Sequence, residues 1–589
     1  DTLSLHDALP IYKKSLFYLE LQFELRDSGI SAINGNFEPN HTHNAQLTTE
    51  KRTTTVTVLS NTTKKMSRRG FLGASALVPA ALALQTGEAH AAANTTAQLA
   101  AVRSGSPAHQ LLYKTDEFFI AHRGAGNISP EHTAYAYAES VRRGALAVEI
   151  SVRTTRDGKF VCMHDASIKR TTGANLVVRD TNLDELRRHR VDMRENLGDN
   201  IGLYDIPTLE EAIEAINNVP EGGEYASIGG KKVVLFIEAK DGPAQQGLLK
   251  FITDRGLQRR TVIKMYRDGS GGFNPTSRYL KLVNAAGCGT WCYFDGGDPI
   301  DKISAMARHK NVDALGVPFY EKPTGAGYGS MSEDAVRTLT GLGKAVIVWE
   351  VHRRSVYENY KALGVKGFMC PDPYWVIGDP FDSSVKINTG RRQHGILPAD
   401  PSTAADMPEL NGKAIVHRQR YDESVLLGPL SNFTTRDKYT LDFSMKWTGE
   451  LPKQQSHYGY VAFGRQYDGA FGIGKKFAAK QDDGTYLLAV RPSYQGGSVA
   501  QILCFAPGQS TPRVLHTMKL RQKVTTGQAL NCKIVVNKNS FYYTINGQYS
   551  SPINHSTYRG PYVHFGRFHG TNDGGPLELT RIEARQSWV

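Results

Sequence analysis

A chain of 589 residues is too long for one compact domain, and two large domains are the first expectation. Hydrophobic residues at 40% and charged residues at 22% exclude a low-complexity or wholly disordered chain. A net charge of +13 points to an anionic substrate or surface, and the absence of an arginine-rich arm or nucleic-acid motif sets DNA and RNA aside.

In chain order, the first 91 residues read as processing rather than fold. Met66 opens "MSRRGFLGASALVPAALALQTGEAHA". Arg68-Arg69 precede an apolar run from Phe71 to Leu84, and Ala89-His90-Ala91 is a small-x-small cleavage site. Residues 66–91 resemble a bacterial twin-arginine signal peptide, so export to periplasm, cell wall or medium is expected. The run is too short to span a bilayer as a helix, and no transmembrane anchor is expected. Residues 1–65 are expected to be a non-native or disordered extension, because Thr2–Ile11 ("TLSLHDALPI") resembles a translated sequencing adapter. Residues 92–115 read as a linker.

From 116 to 380 strands alternate with helices. Apolar strands are "FFIAH", "AVEISV", "FVCMH", "VVLFIEAK", "TVIKMY", "GTWCYF", "DALGVP", "AVIVWEV" and "GFMC", with helical patterns such as "TAYAYAESVRRG" and "TLEEAIEAINNV" between most of them. About eight such units predict an α/β fold, a (β/α)8 barrel with its active site at the C-terminal strand ends. His122, Arg123, Glu149, His164, Asp165, Glu238 and Lys240 all fall at those ends. The stretch "VEISVRTTRDGKFVCMHD" reads as strand, turn, strand, turning at Arg156-Asp157-Gly158.

From 381 to 589 short alternating runs dominate, among them "YTLDFSMKW", "YGYVAFG", "TYLLAV" and "AQILCFA". Asn546-Gly547 marks a two-residue hairpin turn. The pattern predicts an antiparallel β-sandwich with a distant, jelly-roll-like resemblance to concanavalin-type domains. Such a domain could take a carbohydrate ligand or merely pack on the barrel. Cys288 and Cys292 lack a second ligand pair for zinc, and a Cys504–Cys532 disulfide stays open.

The motifs "AHRGAGNISPEHT", "VEISVRTTRDGKFVCMHD", "IPTLEEAI", "FIEAK" and "VWEV…LGVKGFMCPDP" resemble, in order, those of the glycerophosphodiester phosphodiesterase family over residues 116–375. The resemblance implies a barrel enzyme that cleaves glycerophosphodiesters to glycerol 3-phosphate and an alcohol. It implies His122 and His164 as the acid–base pair, suited by imidazole's titration near neutrality. Arg123 and Lys240 would bind phosphate oxygens, and Trp349 would wall the pocket. Glu149 and Glu238 would bind a divalent cation, calcium or magnesium. The family pattern Glu-x-Asp is here Glu149-Ile150-Ser151, and a hydroxyl is a weak ligand for a hard cation. A weakened metal site, a rebuilt one and none at all remain open. An exported enzyme could act on deacylated phospholipids or polyglycerol-phosphate polymers. The competing expectation is a degenerate barrel that binds carbohydrate or polymer at the cell surface.

Overall fold

A computed structural model describes residues 105–222, 228–242, 244–321, 329–377, 391–392, 394–398, 401, 409–411, 414–417, 423–429, 437–473, 483–569 and 572–586. The expected extension, the export signal and most of the expected linker lie outside them. The end of that linker is not irregular: Pro107–Lys114 is a helix, capped by Ser106 and started by proline.

The first domain is a closed barrel. Its strands are β1 (Phe118–Ala121), β2 (Ala147–Thr154), β3 (Phe160–Cys162), β4 (Val234–Ala239), β5 (Thr261–Tyr266), β6 (Gly289–Tyr293), β7 (Ala314–Pro318), β8 (Ala345–Trp349) and β9 (Gly367–Cys370). Parallel pairing runs β1-β9-β8-β7-β6-β5-β4-β2, and β1 pairs with β2 to close the ring. Eight strands therefore form the barrel. The ninth expected strand, β3, is antiparallel to β2 and stands outside the ring. The turn at Arg156–Gly158 is far too short for the crossover that parallel pairing needs.

Side chains alternate along each strand. Val148, Ile150 and Val152 of β2, and Leu235 and Ile237 of β4, belong to the core between strands and helices. Ala147, Val234, Phe236, Val262, Trp291, Ala314, Ala345 and Ile347 instead fill the barrel's interior, and Leu111 and Leu112 of the first helix join the same cluster. Gly316 makes room there for a tryptophan: a Cβ at this position would lie 2.6 Å from Trp291 Nε1. The helices carry their own start signals. Thr208 and Glu211 form a capping box on Leu209–Asn217, and Ser332 caps Glu333–Thr340.

Among the described residues the second domain is an antiparallel sandwich of two seven-stranded sheets. One sheet runs, in spatial order, Ile396–Leu397, Ser424–Pro429, Gly560–Phe568, Tyr458–Gly464, Thr485–Tyr494, Gly497–Phe505 and Arg513–Lys519. The other runs Glu409–Asn411, Ala414–His417, Leu577–Gln586, Tyr439–Trp447, Leu530–Val536, Phe541–Ile545 and Gln548–Tyr549. Tyr439, Leu441, Phe443, Met445 and Trp447 alternate into the core between the sheets and meet Val461, Phe463, Tyr486 and Leu488. The predicted hairpin forms, with φ of 48° at Asn546 and 77° at Gly547. The six cysteines are buried thiols, and among the described residues no helix is long and apolar enough to cross a membrane.

The two domains share polar contacts. Buried Arg353, just after β8, donates to Glu321 Oε1 at 2.8 Å, to the Asp468 carbonyl at 2.6 Å and to the Pro398 carbonyl at 2.7 Å. The helix that follows, Arg354–Ala362, has no capping side chain of its own at Arg353. Asp468 of the sandwich supplies it, accepting from Arg354 N at 2.7 Å, from Ser355 N at 3.2 Å and from the Ser355 hydroxyl. We predict that Asp468→Ala costs about 2 kcal/mol, the upper end for a lost N-cap. Hydrogen exchange would localise the effect: amides of Arg354–Ala362 lose protection while those of Tyr439–Trp447 keep theirs. Equal loss in both would refute a local cap.

Candidate active site

The alternation that fills the barrel also builds its mouth. Continuing inward from Ala147 in steps of two gives Glu149 and Ser151; from Phe236, Glu238 and Lys240; from Val262, Lys264; from Trp291, Tyr293; from Ile347, Trp349. The lower layers are apolar and the upper ones polar, so charge collects at the C-terminal strand ends. His122-Arg123-Gly124 turns over the end of β1 as a short 3-10 element. Gly124 has φ +78°, and a Cβ there would meet Ala136 Cβ at 3.0 Å, so only glycine fits. Arg123 is itself left-handed at φ 54°, and its backbone N–H donates to Glu149 Oε2 at 3.2 Å.

A continuous chain of hydrogen bonds links the two candidate histidines. Arg123 Nε lies 3.3 Å from His122 Nε2, and Arg123 also donates to Glu131 at 3.2 Å. Glu131 accepts two bonds from Arg170, at 2.7 and 2.8 Å. Arg170 Nε donates to Asp165 at 2.7 Å, and Asp165 pairs with His164 Nδ1 at 2.8 Å. Burial alone would raise the Glu131 carboxyl, but Arg123 and Arg170 outweigh it and hold it far below the carboxylate range. Two further carbonyl contacts from Arg153, at 2.9 and 3.0 Å, fix the His164 backbone. On the other side, His122 Nδ1 faces Glu350 at 3.4 Å, and His352 Nε2 faces the same carboxylate oxygen at 3.3 Å. Burial opposes ionisation of Glu350, yet His122 and its neighbours keep its value well below normal.

The third group is a set of ion pairs. Lys264 Nζ lies 3.2 Å from Glu149 Oε1 and 3.0 Å from Glu238 Oε2. Lys240 Nζ reaches the same Glu238 oxygen at 3.0 Å, Tyr293 OH donates to Glu238 Oε1 at 2.8 Å, and Ser151 Oγ donates to Glu149 Oε1 at 3.1 Å. Burial alone would push the Lys264 ammonium down, but Glu149 and then Glu238 hold it above its usual value. The Glu238 carboxyl would likewise rise on burial, and Lys264 and Lys240 bring it down to about 2. Such a donor set does not fit a hard divalent cation. All four oxygens of Glu149 and Glu238 already accept from protein donors, and Ser151 spends its proton on Glu149. Among the described residues no group of three or more His, Cys, Asp and Glu side chains could hold a metal ion.

The structure thus brings His122, Arg123, Glu149, His164, Glu238 and Lys240 into linked polar contacts. Trp349 packs edge-on against Tyr293 at 5.6 Å and against Tyr320 at 6.0 Å. Sequence reasoning missed Lys264, Tyr293 and Arg170, and gave Glu131 and Glu350 no role. Lys264 had a signal: a lysine two residues after Val262, inside an otherwise apolar strand.

Buried histidines also set an acid limit on stability. Burial holds His132 at about 3 and His164 at about 4, the Asp165 bond opposing the shift in the latter, against 6.5 for a free side chain. The unfolded chain therefore binds their protons first. Their neutral forms cost nothing above about pH 6.5, and stability is lost as pH falls from there towards 4. Below about 4.5 the depressed carboxylates add a second loss with the same sign. We predict that denaturant-measured stability declines from pH 6.5 to 4.5, less steeply in His164→Gln. A flat wild-type profile over that range would contradict the burial of neutral imidazoles.

Comparison with known proteins agrees with the barrel's motifs. The profile of the "Glycerophosphoryl diester phosphodiesterase family" matches residues 122–373. A glycerophosphodiester phosphodiesterase of Caldanaerobacter subterraneus is 26% identical over 264 residues, 44% of this chain and 95% of the relative. A provisionally named glycerophosphodiester phosphodiesterase of Bacillus subtilis, YhdW, is 33% identical over 270 residues, 44% of this chain and 97% of the relative. The crystal structure of a glycerophosphodiester phosphodiesterase from Thermotoga maritima aligns at 20% identity and a TM-score of 0.33, over 44% of this chain and 97% of that one. With a relative one-third identical over almost its whole length, the chain belongs to the glycerophosphoryl diester phosphodiesterase family and is a phosphodiesterase of that class.

Proposed function

We propose that the chain hydrolyses glycerophosphodiesters to glycerol 3-phosphate and an alcohol, with His122 and His164 exchanging protons. The supporting observation is the hydrogen-bonded chain His122–Arg123–Glu131–Arg170–Asp165–His164, which orients both imidazoles from one scaffold. His164 is neutral at pH 7 and donates a hydrogen bond from Nδ1–H to Asp165, which leaves Nε2 free to accept a proton. It is the base of the first step and takes the proton of a neighbouring glycerol hydroxyl. That oxygen attacks phosphorus while His122, an imidazolium once Arg123 Nε turns from its Nε2 to the phosphate, protonates the departing alkoxide. The product of this step is a cyclic phosphate. Water then opens it with the two roles reversed. Glu350, opposite His122 Nδ1, keeps the ring oriented and balances an imidazolium. Arg123 and Lys240 take the phosphate oxygens, and Trp349 with Tyr293 and Tyr320 lines one side of the site.

His122→Ala and His164→Ala are each expected to lower kcat on glycerophosphocholine by about 10²–10⁴-fold with an unchanged circular-dichroism spectrum. Near-wild-type turnover in either variant would end this assignment. Phosphorus NMR should show a transient five-membered cyclic phosphate before glycerol 3-phosphate accumulates. Export is part of the same proposal, supported by Arg68-Arg69 and the Ala89-His90-Ala91 site. Protein recovered outside the cytoplasm should begin at Ala92, and an intact Met66 terminus there would argue against processing.

A further inference from the structure

The geometry points to Lys264 as the resident cation of this site: its ammonium takes the position between Glu149 and Glu238 that a divalent metal would otherwise need, and the phosphodiesterase works without one. The inference rests on the phosphodiesterase reading of the barrel mouth, and it concerns which charge that reading depends on.

Three observations carry it. The first is contact. Lys264 Nζ lies within 3.2 Å of an oxygen on each carboxylate, and nothing longer than a lysine side chain is needed to bridge β5 to β2 and β4. The second is burial. Glu149 is 0% exposed, Glu238 6% and Lys264 8%, so an ion entering here must expel the ammonium into low-dielectric surroundings. Leaving a buried charge unpaired is strongly unfavourable. The Lys264 ammonium also lies 5.6 Å from the Trp291 ring centre and 5.5 Å from that of Tyr293. Aromatic faces at that range favour an organic cation.

The third observation is charge balance. Two carboxylates, Glu149 and Glu238, face two ammonium groups, Lys264 and Lys240, and the group is neutral. Ser151 contributes no charge. A dication added to this set would leave it strongly positive, whereas a carboxylate at position 151 combined with loss of Lys264 would leave room for one. The serine and the lysine are therefore two halves of one exchange. With their charge matched by Lys264 and Lys240, Glu149 and Glu238 no longer repel an incoming phosphate, which meets the N–H donors of Lys240 and Arg123 in a site without net negative charge.

The test is calorimetric titration of the full chain with calcium and with magnesium, run beside glycerophosphocholine assays with and without EDTA. The wild-type protein should bind neither ion at millimolar concentration, and EDTA should leave its rate unchanged. Lys264→Met should lower kcat/KM by about 10²-fold, as loss of a fixed electrostatic group does. The double substitution Ser151→Asp with Lys264→Met should bind calcium or magnesium with a stoichiometry of one. Stoichiometric cation binding by the wild-type protein, or EDTA inactivation reversed by metal, would overturn the inference, and neither result depends on a variant folding. Absence of wild-type turnover with and without metal would instead strike the phosphodiesterase reading, and the titration would still judge the lysine.

Discussion

Charges that point into a barrel must be cancelled inside it. A parallel strand sends every second side chain inward, and water reaches only the mouth. Once Glu149 and Glu238 are placed on β2 and β4, the fold has to supply positive charge at the same depth. It does so with Lys264 from β5 and Lys240 from the end of β4. One layer further out the same rule applies again, where Glu131 is answered by Arg123 and Arg170. The site is a stack of compensated charges, and its two imidazoles are attached to the edges of that stack.

This arrangement separates rigidity from reactivity. The carboxylates are held by fixed guanidinium and ammonium partners, so they fix geometry and remain charged across a wide pH range. The histidines are held by a single carboxylate each on the Nδ1 side, Asp165 for His164 and Glu350 for His122. An imidazole held in this way keeps its orientation while its protonation changes, which is what a group that must both give and take protons requires.

Much of the fold was legible because periodicity is local. The barrel strands and the sandwich strands Tyr439–Trp447 and Tyr458–Gly464 match their apolar alternation, and Asn546-Gly547 turns as its type demands. The expected barrel of eight units holds, and β3, whose apolar "FVC" looks like any other strand, is set apart by the short turn before it, which leaves only antiparallel pairing open. In the sandwich, Ala414–His417 and Ser424–Pro429 escaped notice, being short apolar runs without alternation. The site was partly legible, since His122, Glu149, His164, Glu238 and Lys240 sit at strand ends. Lys264 and Arg170 were not, because each owes its meaning to partners scores of residues away: Lys264 to Glu149, 115 positions back, and Arg170 to Glu131, 39 positions back.

The aspartate that caps Arg354–Ala362 stands 114 residues downstream of the amide it serves. A ribosome therefore finishes every strand of the barrel before the group that stabilises this helix has been made. The helix between β8 and β9 waits for the loop after Tyr458–Gly464, and such distant closure is slow compared with local pairing. Barrel and sandwich are thus coupled in the order of their assembly as well as in space.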